Sequence, residues 1–433
     1  MNHTLASPAA STQPPPTRRE RAAWALYDFA NSGYTTVVIT AIYNAFFVGV
    51  IAGKAPWATF AWSGALAISY VLSFATAPAI GAYADAHARK KVLLLVATVG
   101  CVVSTALLAL TGPGGLVLAI VLVVISNFFF SMGENLAAAF LPELASGDQL
   151  GRLSGWSWAF GYIGGLISLG TCLAYVIAAQ ARGEPATAFV PVTMLITATI
   201  FAVAALPTFF ILRERAIPRA RGGAVDGALE RLTRTWREAS RFGDLKRFLI
   251  ALVFIQAGVQ TVVALAAVYA EQVIGFTTQE TITLILVVNV AAAVGAFIFG
   301  SVQDRFGHVP TILTTIAGWI ATIAIAWFAT DRPTFWVAAT TAGLCLGASQ
   351  SAGRALVGYL APPGREGEFF GLWGLSMKLG QALGPLTYGA VTWASQGEHR
   401  LAMLTTGLFF VIGAMITRGV DAARGRANAH RSP

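Results

Sequence analysis

Charge is scarce in this chain. Asp, Glu, Lys and Arg make up 11% of the 433 residues, while 56% are hydrophobic; a soluble domain carries roughly 25% charged residues. So little charge cannot coat a soluble particle of this size, which excludes a soluble enzyme. The apolar majority excludes a disordered chain. Cysteine is nearly missing. Cys101, Cys172 and Cys345 each lie in an apolar run, and three cysteines without ligand spacing make neither a disulfide framework nor a zinc site. The five histidines (His3, His87, His308, His399, His430) fall in tails or loops without metal-ligand spacing. No phosphate-cradling glycine loop is present, so ATP-driven transport is not expected. No catalytic constellation stands out, and the chain is expected to be no enzyme and to need no metal or cofactor. Residues Met1–Thr17 lack the apolar stretch of a signal peptide. The apolar runs are long and continuous, unlike the ten-residue alternating segments of an outer-membrane barrel.

Long apolar runs are what the sequence has. A helix crosses a bilayer with about twenty apolar residues, and twelve candidate spans can be drawn at 25–51, 58–82, 92–111, 115–140, 153–180, 189–212, 248–273, 279–302, 310–330, 334–359, 368–395 and 400–418. The expected class is an all-α membrane protein with two six-helix bundles. A cytoplasmic tail covers 1–23, the first bundle 24–212, a basic central loop 213–247, the second bundle 248–418 and a second tail 419–433. Within the loop, Leu229, Leu232 and Trp236 lie at helical spacing among arginines, which predicts an amphipathic surface helix over 226–242.

The cations set the orientation. With the N-terminus cytoplasmic, 24 of the 29 Lys and Arg lie on that side, against Lys54, Arg182, Arg332 and Arg400 on the other. That bias predicts two cytoplasmic termini. The net charge of +9 therefore reports topology and contact with the lipid bilayer, not nucleic-acid binding. Arginine outnumbers lysine 24 to 5, which points to a GC-rich bacterial source and its inner membrane.

The two halves repeat each other. Gly81, Asp85, Gly155, Gly161, Gly165 and Gly170 recur as Gly300, Asp304, Gly374, Gly380, Gly384 and Gly389, every pair 219 residues apart. Parallel six-helix repeats are a transporter architecture. The glycines permit close helix approach. Asp85 and Asp304 stand where a following helix begins and can cap it, with Arg89 and Arg305 as expected partners.

The first loop copy runs Gly81-Ala-Tyr-Ala-Asp85-Ala-His-Ala-Arg89-Lys90-Lys91 and the second Gly300-Ser-Val-Gln-Asp304-Arg305-Phe-Gly-His308. Both resemble the loop signature of the major facilitator superfamily. A narrower resemblance lies in Trp24-Ala-Leu-Tyr27-Asp28-Phe-Ala-Asn31-Ser-Gly-Tyr34-Thr35-Thr36, in Leu141-Pro-Glu143-Leu-Ala145, and in Glu368-Phe-Phe-Gly-Leu372 with Lys378. These are similar to the vacuolar-effluxer-like branch, whose yeast member is tied to autophagy and amino-acid export from the vacuole. That branch's Ser-Arg-Ser in span ten stands here as Gly353-Arg354-Ala355: the arginine is kept and both serines are lost. The resemblance implies a twelve-helix secondary transporter working by alternating access, with Gly81, Asp85, Arg89, Gly300, Asp304 and Arg305 gating one face.

Charges inside spans are costly and mark pathways. Asp28, Glu134, Arg354 and Lys378 fall in spans one, four, ten and eleven. Lys378, about 15 Å past Glu368 by helical rise, is placed near the midplane, where it would suit a substrate carboxylate. Asp28 and Glu134 are candidates for a coupling proton. Asn31 and Tyr34 (with Tyr27 on the same face), Asn127, Gln256, Gln260 and Asn289 extend the candidate cavity. The leading expectation is a monomeric transporter of a small polar solute, an amino acid by resemblance. The alternatives are an efflux pump for amphipathic compounds, whose cavity would be more apolar, and a non-transporting sensor, which would call for a soluble output domain.

Overall fold

The computed structural model describes residues 14–53, 55–216, 242–396 and 399–431. Lys54 and nearly all of the expected surface helix over 226–242 lie outside them. Twelve long helical segments follow in the described residues: α1 Arg18–Ile51, α2 Ala58–His87, α3 Lys90–Leu107, α4 Leu116–Ala138, α5 Leu150–Ala181, α6 Ala186–Ile211, α7 Gly243–Gln272, α8 Thr278–Phe306, α9 His308–Phe328, α10 Arg332–Leu360, α11 Glu366–Ala394 and α12 His399–Arg418. Ten helical stretches are long and apolar enough to cross a membrane. The two segments without such a stretch, α10 and α11, carry Gln350, Arg354, Lys378 and Gln381. Side chains such as Val117, Phe210, Leu386 and Trp393 are bare on the outside, as expected of a multi-pass membrane protein in lipid.

Helix starts are written locally in some places and supplied from afar in others. Thr17 and Glu20 form a capping box that starts α1 earlier than the apolar run; Thr277 and Glu280 do the same for α8, and Asp331 caps α10. Of the helices without a side-chain cap from their own N-cap residue, three begin at the charged face: α3, α5 and α11. Their free N–H groups need acceptors. Each receives a carboxylate from elsewhere in the chain: Glu214 for α3, Asp304 for α5 and Asp85 for α11.

The buried core falls into separate clusters. One runs from Trp24 to Leu212, with Ala355 the sole buried member from beyond. Two others are built from Phe242 onward, with only Ala138 and Ala139 from the first half. Within the halves α1 packs on α5 and α7 on α11; between them α5 meets α8 and α2 meets α11. The pairings repeat, as the 219-residue spacing predicts. The stretch read as a C-terminal tail contains a helix, α13 Ala422–Arg431, held by Arg424 to Asp244 at 2.6 and 2.8 Å.

α1 departs from regular winding. Thr35–Ala41 and Phe47–Ile51 are π-helical, a form that appears mostly as short bulges at functional places. The hydroxyls of Thr35 and Thr36 both donate to the carbonyl of Ser32, at 3.0 and 2.8 Å.

Candidate functional site

The face that bears the chain ends is closed by two corners. At the first, Asp85 at the end of α2 accepts the backbone N–H groups of Gly367 and Glu368, both at 3.0 Å. A carboxylate at a helix N-terminus is favoured by the exposed donors and the helix dipole. The backbones touch closely: a Cβ on Gly81 would overlap the carbonyl of Gly367. Lys90, fully buried, reaches Glu143 at 2.8 Å, Glu366 at 3.3 Å and Asp85 at 3.5 Å. One ammonium with three donors and a flexible stem serves three carboxylates. Glu143 also accepts the Arg215 backbone N–H at 2.7 Å, and the Arg215 guanidinium meets Glu20 at 2.9 Å. The chain leaving α6 is thereby tied to this corner. Arg89, the expected partner of Asp85, is an exposed residue at the head of α3, and its neighbour Lys90 takes the buried position.

The second corner repeats the first. Asp304 at the end of α8 accepts the N–H groups of Gly151 and Arg152 at 2.8 and 2.9 Å. Gly300 lies so close to α5 that a Cβ would stand 2.7 Å from the Gly151 carbonyl. Gln303 donates to the carbonyl of Ala352 at 3.0 Å. Arg305 is exposed and lies 5.5 Å from the ring centre of Phe306.

Between the halves lies a cavity of about 410 Å³. Its first-half wall is Ser32, Thr35, Thr36 and Thr40 of α1, Glu134 of α4, and Trp158 and Tyr162 of α5; its second-half wall includes Gln260 of α7, Asn289 of α8, Gln350 of α10, and Met377 and Gln381 of α11. The lining runs on to Tyr269, Phe335 and Tyr388, toward the face away from the corners, and includes no corner residue. The volume lies within the range of small-molecule sites.

Two partly buried ion pairs join the halves beside this cavity. The Arg354 guanidinium donates to Asp28 Oδ2 at 2.6 Å, to Ser154 Oγ at 3.1 Å and to the Ser154 carbonyl at 3.0 Å. Ser157 donates to the same Asp28 oxygen at 2.6 Å. The guanidinium sits 5.0 and 5.4 Å from the ring centres of Trp24 and Trp158. A buried charge persists when its donors are satisfied this fully, and stacking on indoles adds to it. The second pair is Lys378 and Glu134, 3.7 Å apart. Lys378 Nζ also lies 5.0 Å from the Tyr70 ring centre and 5.8 Å from that of Phe130.

The residues singled out in the sequence therefore divide. Glu134, Gln260 and Asn289 line the cavity. Asp28, Arg354 and Lys378 tie the halves together. Lys378 is not among the residues that line the cavity and pairs with Glu134, which is. Tyr34, Asn31, Asn127 and Gln256 turn inward. Tyr34 bonds Ser126 at 2.8 Å, Asn127 donates to Ser69, and Asn31 is buried. Gln256 and Gln350 exchange amide bonds at 3.0 and 3.3 Å, leaving Gln350 at the wall. The Tyr27–Asn31–Tyr34 face of α1 packs into the first-half core because its rings bury more area there, with Tyr34 stacked on Phe130 and Tyr27 edge-on to Phe201. The hydroxyl face of Ser32, Thr35 and Thr36 meets the cavity instead. Gln350 and Gln381 carry no charge and stand out in no pattern, so sequence reasoning passes over them, while Trp158, which the sequence suggests as an anchor or packing residue before a cavity wall, lines the cavity.

Paired six-helix units, capped corners and a cavity at the seam define a transporter of the major facilitator fold. The solved structure of the human organic anion transporter MFSD10 (TETRAN) superposes with a TM-score of 0.75 over 93% of this chain and 100% of that one, at 15% identity. The sequence matches the family described as "Vacuole effluxer Atg22 like" over residues 64–152 and 146–430; the chain belongs to that family. The MFS-type transporter YxiO of Bacillus subtilis is 27% identical over 403 residues, 92% of this chain and 94% of its own. Autophagy-related protein 22-1 of Neosartorya fischeri is 24% identical over 304 residues, 64% of this chain. The aligned part is about half of that longer relative (49%).

Proposed function

We propose that this protein is a secondary transporter that moves a small polar solute, an amino acid as the leading case, by alternating access. One observation carries the proposal: a cavity at the seam between two pseudo-repeats, lined away from two corners where each half caps a helix of the other. Such an arrangement can open at only one face at a time if the halves rock, because the contacts that close one face are the ones lost when the other closes.

In this scheme Asp85 and Asp304, with Gly81 and Gly300, form the gate of the charged face, and Glu134, Gln260 and Asn289 meet the solute. Asp28 and Arg354 tie α1 to α10 across the seam. The charged face is cytoplasmic, by the excess of Lys and Arg there, in the cell membrane of a bacterium. Each chain holds a whole cavity, so a monomer suffices. Protons are the candidate coupling ion, with Glu134 the cavity carboxylate able to carry one.

Purified protein in proteoliposomes loaded with labelled leucine, tyrosine or lysine, with and without a pH gradient, tests the proposal. Saturable solute movement that is slowed by Asp85→Asn, with affinity kept, is the expected result. Movement equal to that of empty liposomes for amino acids, sugars and small organic ions alike would sink it.

A further inference from the structure

The pair Lys378–Glu134 is asymmetric in a way that bears on what the cavity accepts. Glu134 is 23% exposed and lines the cavity; Lys378 is 10% exposed and is not part of the lining. Their 3.7 Å separation is beyond hydrogen-bond range, so charge alone holds them. In the same position the ammonium lies 5.0 Å from the ring centre of Tyr70 and 5.8 Å from that of Phe130, each close enough to hold a cation by its face. Glu134 belongs to α4 in the first half and Lys378 to α11 in the second.

Resting on the transporter proposal, we infer that Glu134 is the subsite for a solute's ammonium group, and that Lys378 is the internal cation which the solute displaces. An incoming ammonium reaches Glu134 from the cavity without crossing the lysine, and it can form the close, directed hydrogen bonds that Lys378 does not make. Once Glu134 is neutralised from the cavity side, Lys378 keeps its contacts with the rings of Tyr70 on α2 and Phe130 on α4, but the ion pair, the charged part of its tie to the first half, is gone. Binding thereby lowers the cost of parting α4 from α11, which couples occupancy to the rocking motion. A solute with only a carboxylate meets the negative face of the pair and is repelled. The accepted class is a primary amine on a body fitting about 410 Å³, zwitterions included, carboxylic acids alone excluded.

The test uses full-length protein in lipid nanodiscs and three related probes: leucine, leucinol (amine without carboxylate) and 4-methylpentanoate (carboxylate without amine). Binding is read by calorimetry, folding by thermal unfolding, and leucine movement in proteoliposomes. Leucinol is expected to bind the wild type, to lose at least tenfold in Glu134→Gln, and to bind Lys378→Met about tenfold tighter, a change within the range of directly coupled residues. The double variant should bind no better than Glu134→Gln, and 4-methylpentanoate should not bind. Binding of 4-methylpentanoate that vanishes in Lys378→Met would make Lys378 the ligand and overturn the inference, as would leucinol affinity equal in the wild type and both single variants. Failure of leucinol to bind the wild type overturns it outright, whatever is transported. If Lys378→Met does not fold, Glu134→Gln, which keeps shape, decides alone. Leucine movement without amine dependence sinks only this inference; Glu134-dependent leucinol binding with no solute moved sinks only the transporter proposal.

Discussion

The two corners of the charged face descend from one repeated pattern and are built to different depths. At both, a carboxylate ending a helix of one half caps a helix of the other. Asp85, 6% exposed, is backed by the buried Lys90 and shares it with Glu143 and Glu366. Asp304 is only partly buried, and the arginine beside it is exposed. The position 219 residues after Lys90 is Val309, so the repeat does not carry this lysine into the second copy. The shared element is the backbone cap; the buried ionic cluster is an addition on one side. The first corner thus adds a buried cluster of charges to a backbone contact that both corners share.

Removing the cluster's cation should break this asymmetry most visibly. Lys90→Met leaves three buried carboxylates without their counter-ion and is expected to cost ~3–5 kcal/mol, read as a lowered thermal midpoint in nanodiscs. Arg305→Met, at the corresponding corner, should stay within about 0.5 kcal/mol. Equal effects would mean the corners are energetically alike. Next in size are the caps. Asp85→Asn should shift the balance toward the opened charged face by roughly tenfold and Asp304→Asn by less, because a neutral acceptor forfeits part of a charge-assisted bond. Maleimide reactivity of Ser351→Cys, buried on that side, measures the shift in a background lacking the native cysteines. A smaller difference is expected between Gly81→Ala and Gly300→Ala. Both force backbones apart, and the tighter contact at Gly81 should make its variant the slower transporter in the same flux assay.

The smallest effect is expected at the far end of α8. The Thr277 backbone N–H, helped by its hydroxyl and by Arg332, holds the Glu280 carboxyl below its ordinary value. The cap is thus at full strength above the ordinary glutamate range and weakens as pH falls through the lowered value. Glu280→Gln should leave transport near neutral pH unchanged, and any stability difference from wild type should shrink on acidification. A transport defect near neutral pH would show that α8 is not an independent lever with its gate at one end only.

Much of this architecture is legible in the sequence because it rests on local signals. Apolar runs give the spans, and the repeated Gly-x-x-x-Asp gives both corners. The in-span charges give both seam pairs, though not which residues they join: the partner of Lys378 is Glu134, and it is Glu134 that lines the cavity. Choosing between Arg89 and Lys90 needs the orientation of the first turn of α3. The cavity-facing side of α1 is hidden more deeply. Tyr27, Asn31 and Tyr34 share a face at regular helical spacing, yet the wall is made by Ser32, Thr35, Thr36 and Thr40, and the π-winding from Thr35 breaks the period on which such inferences depend. The position of α13 rests on Arg424 finding Asp244 some 180 residues away, a pairing without local signal.

One feature of the seam bears on how fast it can move. Where the halves touch near the charged face, the facing positions are largely glycine: Gly81 against Gly367, Gly371 against Ala77, and Gly155 with Gly151 against Gly300. Side chains elsewhere in a packed protein interlock, and parting them means turning rotamers and lifting knobs from holes. Backbone laid on backbone has nothing to unthread. What resists separation there is a handful of N–H to carboxylate bonds, with the Lys90–Glu366 ion pair at the first corner, and water can take these over one by one as the gap widens. The corners part like two planed boards held by a few pins, so the speed of opening is set by how the pins are drawn, not by the fit of the wood.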